Sequence, residues 1–324
     1  MATFSRSTFN ATKYAASRPH YPPALYSHVL DYASLESTTT APRILVDVGC
    51  GPGLSTFSFA PHFDRVIGID PSENMVNSAR TILEQREGDG EIEKDRVRFE
   101  RGRGDKLEDI SGLERESVDL VVAGQAAHWF DPLPTYKSLA KVLKPGGSFV
   151  FWGYGEIFFP NRPELSSLIP PYSGKLLGPY WEQPGRSIVE NLLVPFPLPI
   201  PSNFPSSSEA NSICSSFDPS SLKRTFHLQN PSSSETILPK PLSSESNLST
   251  SLHPLLLTKT WNLQGLEGYL RTWSSLHKYE EENGKEPDVV ARLLEQLREK
   301  GWKEGEEVEV GWEVGMFMGK KKEE

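Results

Sequence analysis

An apolar run that breaks into glycines, Arg43-Ile44-Leu45-Val46-Asp47-Val48-Gly49-Cys50-Gly51-Pro52-Gly53, is followed one helix length later by a second apolar run closing on a carboxylate, Val66-Ile67-Gly68-Ile69-Asp70. This pairing constrains the fold more than any other feature, because it is the pattern of a nucleoside-binding βαβ unit. A buried strand ends at Gly49, where the backbone must turn sharply and stay close to a ligand that a Cβ would obstruct. Gly51 and Gly53 extend that freedom. Pro52 has no donor to lose, so it is tolerated where a helix begins and free N–H groups can face a ligand. Asp70 ends the second strand, where a carboxylate can accept both hydroxyls of a ribose. The dinucleotide fingerprint G-x-G-x-x-G would need glycine at position 54, which is Leu54, so a pyrophosphate-binding turn lacks its third glycine. A glycine-rich turn without ligand remains the bland alternative.

Composition narrows the class. A chain of 324 residues can bury a sizeable core as one large domain, or as one domain with an elaborated cap. The net charge of −9 argues against a nucleic-acid partner, and the one basic run, Lys320-Lys321-Lys322, is partly cancelled by Glu323 and Glu324. Cys50 and Cys214 alone cannot build a disulfide framework or a zinc site, and suit a reducing compartment. No apolar stretch approaches membrane-spanning length and no secretory apolar region follows Met1. The expectation is a soluble, cytoplasmic protein with no membrane partner, no metal, and an oligomeric state, monomer or homodimer, that the sequence leaves open.

From residue 42 to 152 apolar runs (44–48, 66–69, 97–100, 118–123, 148–152) alternate with helical patterns (55–62, 72–86, a short one near 106–110, and 133–143), which signals an α/β doubly wound sheet. Lys144-Pro145-Gly146-Gly147 supplies the turn into the fifth strand. The pattern breaks after Asn161. From about Pro195 to Pro254 the chain becomes rich in Ser, Pro and Asn, with runs such as Pro205-Ser206-Ser207-Ser208 and Pro231-Ser232-Ser233-Ser234 that bury too little apolar surface to offset their ordering entropy. Most of this stretch reads as flexible, with islands around Phe217 and 222–228 able to pack. Order resumes with a strand pattern at 255–261, helices at 263–279 and 287–300, and alternation over 308–318.

Gly-x-Gly-x-Gly preceded by Asp47 resembles the turn of class I S-adenosylmethionine-dependent methyltransferases. The resemblance implies a Rossmann-like doubly wound seven-stranded sheet with the last strand antiparallel, the two late strands following five parallel ones. It also implies S-adenosylmethionine as cofactor, with Asp47, Gly49, Cys50, Gly51, Gly53 and Asp70, then Pro71 and Met75, around it. Arg103-Gly104-Asp105 follows the third strand, where the family sets a small residue and an acid against adenine; the alternative for Gly104 and Asp105 is a polar loop. Gly124-Gln125-Ala126-Ala127-His128-Trp129-Phe130 ends the fourth strand, at the ligand side of an open α/β sheet. It resembles the A-x-x-H-W-F-D element of a methyltransferase group that includes trans-aconitate methyltransferases, which places Gln125 and Ala126 by the cofactor and His128 and Trp129 by the reacting groups. Positioning rather than acid–base work is expected of both, with a structural histidine and a core tryptophan as alternatives.

The opening segment, with Tyr14, Arg18-Pro19-His20-Tyr21-Pro22, resembles that group's Y-x-x-x-R-P-x-Y-P lid, in which Tyr14 and Arg18 would lie near the methionine end of the cofactor and Tyr21 near the substrate. Tyr180-Trp181-Glu182-Gln183-Pro184-Gly185-Arg186 and Gly268-Tyr269-Leu270-Arg271-Thr272-Trp273-Ser274-Ser275 resemble elements of fungal trans-aconitate methyltransferase-like proteins (methyltransferase type 11). Tyr180, Arg186, Tyr269, Arg271 and Trp273 are candidate cap residues, the last four being the candidate substrate contacts, and packing within the cap is the alternative for each. The organisation expected is a lid over 1–35, a cofactor-binding core over 36–160, a cap over 161–200, a flexible insertion over 201–253, the rest of the core over 254–318 and a charged tail over 319–324.

The reaction implied is methyl transfer to a small molecule, with a carboxylate, trans-aconitate-like or another small organic acid, preferred as acceptor because it is ionised at pH 7 and needs no base. The alternatives are a phenolic, amine or lipophilic acceptor, an NAD(P)-dependent oxidoreductase on the same sheet, and a cofactor-binding protein without turnover.

Overall fold

The computed structural model describes residues 17–34, 42–232 and 242–323. Tyr14 and about half of the expected lid, residues 1–16 and 35, lie outside the described residues, as does part of the Ser/Pro-rich stretch.

A helix, α1 (Pro23–Ala33), precedes five parallel strands, β1 (Ile44–Val48), β2 (Arg65–Asp70), β3 (Val97–Arg101), β4 (Val118–Gly124) and β5 (Leu143–Phe158). They lie in the order β3-β2-β1-β4-β5, with Val46 of β1 between Ile67 and Val121. Every residue of β1 is buried, as befits a strand covered on both faces. The covers are α2 (Leu54–Phe59), α3 (Glu73–Gly88) and α4 (Pro132–Val142). Phe57, Val76, Ala79 and Leu83 pack on one face, and Tyr136, Leu139 and Val142 on the other. Ser72 caps α3, its hydroxyl accepting from the Met75 N–H, which relieves one orphan donor at the helix start. Strand order reverses between β1 and β4, and the crevice at their carboxyl ends is where an open sheet receives a ligand.

Beyond β5 the sheet continues through β9 (Val308–Lys320), antiparallel to β5 with Phe151 opposite Phe317. Three further strands complete it: β6 (Lys223–Leu228), antiparallel to β9; β7 (Ser249–Pro254), parallel to β6; and β8 (Leu257–Trp261), antiparallel to the start of β9. The Rossmann-like sheet with its last strand antiparallel is thus present, with nine strands among the described residues rather than seven.

In the strand order β9 is followed not by 257–261 but by β6, formed by one of the islands expected to be able to pack within an otherwise flexible stretch. The reason is a buried ion pair. Arg224 and Glu245, both 3 % exposed, meet at 2.8 Å, and the guanidinium also donates to the carbonyls of Leu193, Val194 and Phe196. Glu245 accepts in addition from the Leu198 N–H and the Asn203 amide. A satisfied network of this kind orders a stretch whose apolar content alone would not. Residues 201–232 and 242–253 therefore include a helix, α6 (Ser208–Ser215), and two strands.

The cap contributes the short helix α5 (Gly185–Glu190), and the C-terminal half adds α7 (Leu263–Leu270), α8 (Ser274–Asn283) and α9 (Val289–Glu299). The helix expected over 263–279 is broken at 271–273, where the Thr272 hydroxyl turns back to the Tyr269 carbonyl at 2.6 Å. The expected tail is partly structural: β9 runs to Lys320, and the Lys321 ammonium bonds Glu116 and the Leu143 carbonyl. Among the described residues no helix is long and apolar enough to cross a membrane.

Candidate functional site

The turn after β1 is built as the glycines require. Gly49 sits at φ +70°, and a Cβ there would stand 2.4 Å from the Ala126 Cβ, so the β1 and β4 ends close on one another only with glycine in place. The Gly49 and Cys50 N–H groups both donate to the Ile69 carbonyl, pinning the turn to β2. Gly51 faces open space: among the described residues no atom beyond its chain neighbours lies within 4 Å of where a Cβ would stand.

This turn floors a cavity of about 180 Å³. Of the residues expected around a cofactor, Arg18, Gly49, Cys50, Gly51, Asp70, Pro71, Met75, Gly104, Asp105, Gln125 and Ala126 line it. Asp47 and Gly53 do not. Asp47 is 1 % exposed and its carboxylate accepts from the Thr56 hydroxyl at 2.7 Å; burial pushes its pKa up to about 7. Gly53 instead starts α2 at φ +88°, with Phe57 and Phe99 filling the space a side chain would need.

Asp70 accepts from the Gly51 N–H at 3.0 Å and the Ser72 N–H at 2.8 Å, one on each oxygen. Each oxygen keeps a lone pair for a hydroxyl donor, and burial holds the carboxyl above its usual range. Asp105 is gripped by Arg103 through two bonds of 2.9 Å, and that hydrogen-bonded cation lowers its pKa.

A second cavity, of about 100 Å³, adjoins the first. Four residues line both: Arg18, Gln125, Trp129 and Tyr154. Gln125 adopts φ +56°, unusual for a side-chain-bearing residue. Its amide donates to the Tyr154 carbonyl at 3.1 Å and accepts from the Tyr154 N–H at 2.9 Å, which continues the β4–β5 ladder past Gly124 with a side chain. The Tyr154 hydroxyl in turn accepts from Arg18 at 3.1 Å, and the Arg18 guanidinium lies 5.3 Å from the Tyr269 ring centroid.

His128, Arg186, Tyr269 and Trp273 line the second cavity, and Tyr21 the first. Arg271 lines neither; it is held between Glu267 and Asp288, tying α7 to the start of α9. Arg186 is likewise engaged, its Nη2 2.6 Å from Glu156 and its Nε bonded to Glu190. Tyr269 is 3 % exposed, its hydroxyl accepting from the Trp312 indole, and burial raises its phenol well above the usual value. The His128 and Trp129 ring centroids lie 4.8 Å apart, and α5 comes so close that a Cβ on Gly185 would stand 2.9 Å from Trp129. Among the described residues His128 Nδ1 is buried without a partner, and burial drives the imidazole pKa down to about 3, so the ring is neutral at pH 7.

Tyr154, Glu156 and Trp181 are cavity residues that the sequence did not mark out. The signal for the first two is the alternation of β5 continuing past Trp152, between the spacers Gly153 and Gly155. Trp181 lies inside a segment notable for its resemblance but carries no charge to single it out.

A family described as a methyltransferase domain matches residues 46–151, which contain the turn, Asp70 and the β4 end. The yeast "Probable S-adenosylmethionine-dependent methyltransferase CRG1" from Saccharomyces cerevisiae is 31 % identical over 191 residues, covering 58 % of this chain and 61 % of its own. "Methyltransferase cfoB" from Aspergillus candidus is 27 % identical, with 55 % and 57 % covered. The matches thus span about three-fifths of these relatives' length. Among solved structures, a candidate type II methyltransferase from Anaeromyxobacter dehalogenans superposes with a TM-score of 0.62 at 23 % identity, covering 94 % of this chain and 97 % of that one, which is a likeness of fold. The glycine turn, the Asp70 carboxylate and the β4 end lie inside the matched region, so residues 46–151 match a methyltransferase domain, and the relatives this chain is similar to are named as methyltransferases.

Proposed function

We propose that the protein transfers the methyl group of S-adenosylmethionine to a small molecule, and that the accepting atom is a carboxylate oxygen of a small organic acid. The residues present fit the cofactor: Gly51 opens onto the first cavity, and Asp70 keeps lone pairs for the ribose hydroxyls. When bound, S-adenosylmethionine supplies an electrophilic methyl whose leaving group is a neutral thioether. The chain's own work is alignment and exclusion of water. In this reading Gln125 fixes the Tyr154 backbone, Trp129 and Tyr154 wall the passage between the cavities, and Arg18 pairs with the acceptor's carboxylate.

The observation that carries the carboxylate reading is the state of His128. It is the ring nitrogen base of the second cavity, yet burial holds its pKa at about 3. A phenol or an ammonium group must lose a proton before accepting a methyl, and a base this weak removes it poorly. A carboxylate has no proton to lose. Arg186, paired with two carboxylates, and Arg271, outside both cavities, lend this reading no direct support; the cation it uses is Arg18, which lines both cavities and donates to the Tyr154 hydroxyl and the Thr272 carbonyl.

The acidic balance and two buried, unpaired cysteines fit a cytoplasmic enzyme of small molecules rather than of nucleic acid. Incubation with methyl-labelled S-adenosylmethionine and a panel of acids, phenols and amines tests the reading. Labelled ester from the acids supports it, and label confined to phenols or amines refutes the carboxylate assignment. Thermal stabilisation by a nicotinamide cofactor but not by S-adenosylmethionine would favour the oxidoreductase, and cofactor binding without transfer to any acceptor would favour a non-catalytic protein.

A further inference from the structure

The second cavity differs from a receptor for a polyanion in both charge and walls. Arg186, its side chain only 10 % exposed, is bonded to Glu156 and Glu190 and laid 4.2 Å over the Trp181 ring centroid. One guanidinium between two carboxylates is an anionic triplet. It presents the cavity with a stacked, saturated cation and with Glu156 beside it. Arg18 is the cation at the passage between the two cavities. Five aromatic residues, Trp129, Trp181, Trp273, Tyr154 and Tyr269, line the space together with a second carboxylate, Glu182, and Trp273 is in ring contact with both Trp181 and Tyr269. A volume of about 100 Å³ holds roughly seven to ten water-sized groups at 10–15 Å³ each, the size of one ring and its carboxylate.

We propose that the acceptor is a flat monocarboxylic acid, aryl or conjugated, whose single carboxylate meets Arg18, and that the Glu156–Arg186–Glu190 triplet excludes acids carrying a second carboxylate. The inference rests on the carboxylate reading above and sharpens its substrate class. A planar body gains from stacking against indole and phenol faces. A second carboxylate would have to lie near Glu156 and Glu182, beside an Arg186 already bonded to two carboxylates, and like charges built against a competitor are how a site rejects it.

The test compares kcat/KM for methyl transfer to cinnamate, to its para-carboxy derivative, to trans-aconitate and to octanoate, using the full chain. Cinnamate is expected to exceed each of the other three by at least tenfold. In Glu156→Gln, which keeps the side-chain shape while removing one of the two charges, the para-carboxy acid is expected to gain at least tenfold relative to cinnamate. Preference of the wild-type protein for either polyacid overturns the inference while leaving carboxylate methylation intact; preference for octanoate does the same. An unchanged ratio in Glu156→Gln refutes the role of the triplet. Transfer to phenols or amines alone overturns the inference together with the reading beneath it. The wild-type comparison needs no variant, so a misfolded Glu156→Gln leaves the proposal decidable.

Discussion

Replacing Glu245 by alanine tests whether the Ser/Pro-rich stretch is part of the sheet's architecture. The wild-type carboxylate is sealed, with its side chain 0 % and that of Arg224 3 % exposed. Alanine removes the counter-charge of a buried guanidinium, which costs about 3–5 kcal/mol. It also strands the Leu198 N–H, worth about 1–3 kcal/mol when buried without a partner. These terms overlap, and Arg224 keeps its three carbonyl acceptors, so about 4 kcal/mol in total is the reasoned figure. At about 2 °C per kcal/mol, the low end of the range for large domains, Tm falls by roughly 8 °C.

Thermal melting followed by circular dichroism measures this, and Arg224→Met with Glu245→Leu completes the cycle. Removing both charges is expected to recover most of the loss, since hydrophobic replacement of a buried pair is often close to neutral. A Glu245→Ala protein melting within about 1 °C of wild type would refute the reasoning, because a detached insertion can lose an ion pair without consequence. A functional readout accompanies the thermal one. Arg224 holds the Leu193 carbonyl at 3.1 Å, the Leu193 side chain packs over Gly153 of β5, and this segment directly follows α5, which carries Arg186. The acceptor's KM is therefore expected to rise in Glu245→Ala at a temperature where S-adenosylmethionine affinity is unchanged.

Gly49→Ala forces a Cβ into Ala126 at a left-handed φ, a conformation costing about 1–2 kcal/mol before the clash is counted. At least a tenfold loss of S-adenosylmethionine affinity by calorimetry is expected, and unchanged affinity would contradict the cradle. Asp47, at about 7 in the fold against about 4 unfolded, binds more protons folded than unfolded in that interval, so its contribution to stability declines as pH rises through it. Asp47→Asn is expected to gain Tm relative to wild type more at pH 7.5 than at pH 4.5; an equal shift at both values would show that the carboxyl is not protonated by burial. His128, at about 3 folded against about 6.5 unfolded, works in the opposite sense. Its neutral form contributes fully above pH 6.5, and that stability drains away as pH falls toward 3. His128→Asn should flatten that acid limb in Tm while the pH–rate profile between 6 and 8 stays level in both proteins; a rate limb near 6.5 that vanishes in the variant would make His128 a base.

The donor side of the site is legible in the sequence because its determinants are local. A turn at positive φ selects glycine directly, and Asp70 acts on the N–H two residues on and on the turn after the neighbouring β1, so a dozen consecutive letters and one strand end contain the information. Even there the motif says too much: Asp47 belongs to it but points to Thr56, and Gly53 is needed by the phenylalanines behind it. Residues 223–228 read only as an island able to pack, and their place in the sheet escapes a sequence reading for the converse reason. What turns them into a strand is an ion pair spanning 21 positions and three carbonyls about thirty residues upstream, none of which leaves a periodic trace. Arg271 misleads because an arginine in a cap segment reads the same whether its partner is a ligand or Asp288.

The passage between the cavities shows why the acceptor is harder to read than the donor. Arg18 precedes α1, Gln125 and Trp129 follow β4, and Tyr154 lies within β5, so the four residues meet only once the sheet has formed. Their alignment depends on a chain of contacts: Gln125 fixes the Tyr154 backbone, Tyr154 fixes Arg18, and Arg18 presents its charge. A displaced Gln125 would thus move the cation as well as the wall, although its amide never needs to touch the acceptor. Tyr154→Phe separates the two effects, since it keeps the ring and removes the hydroxyl to which Arg18 donates. If Arg18 is positioned through that hydroxyl, the variant raises KM for a carboxylic acid several-fold and leaves S-adenosylmethionine affinity alone. Loss of cofactor affinity instead would place Arg18 on the donor side of the passage.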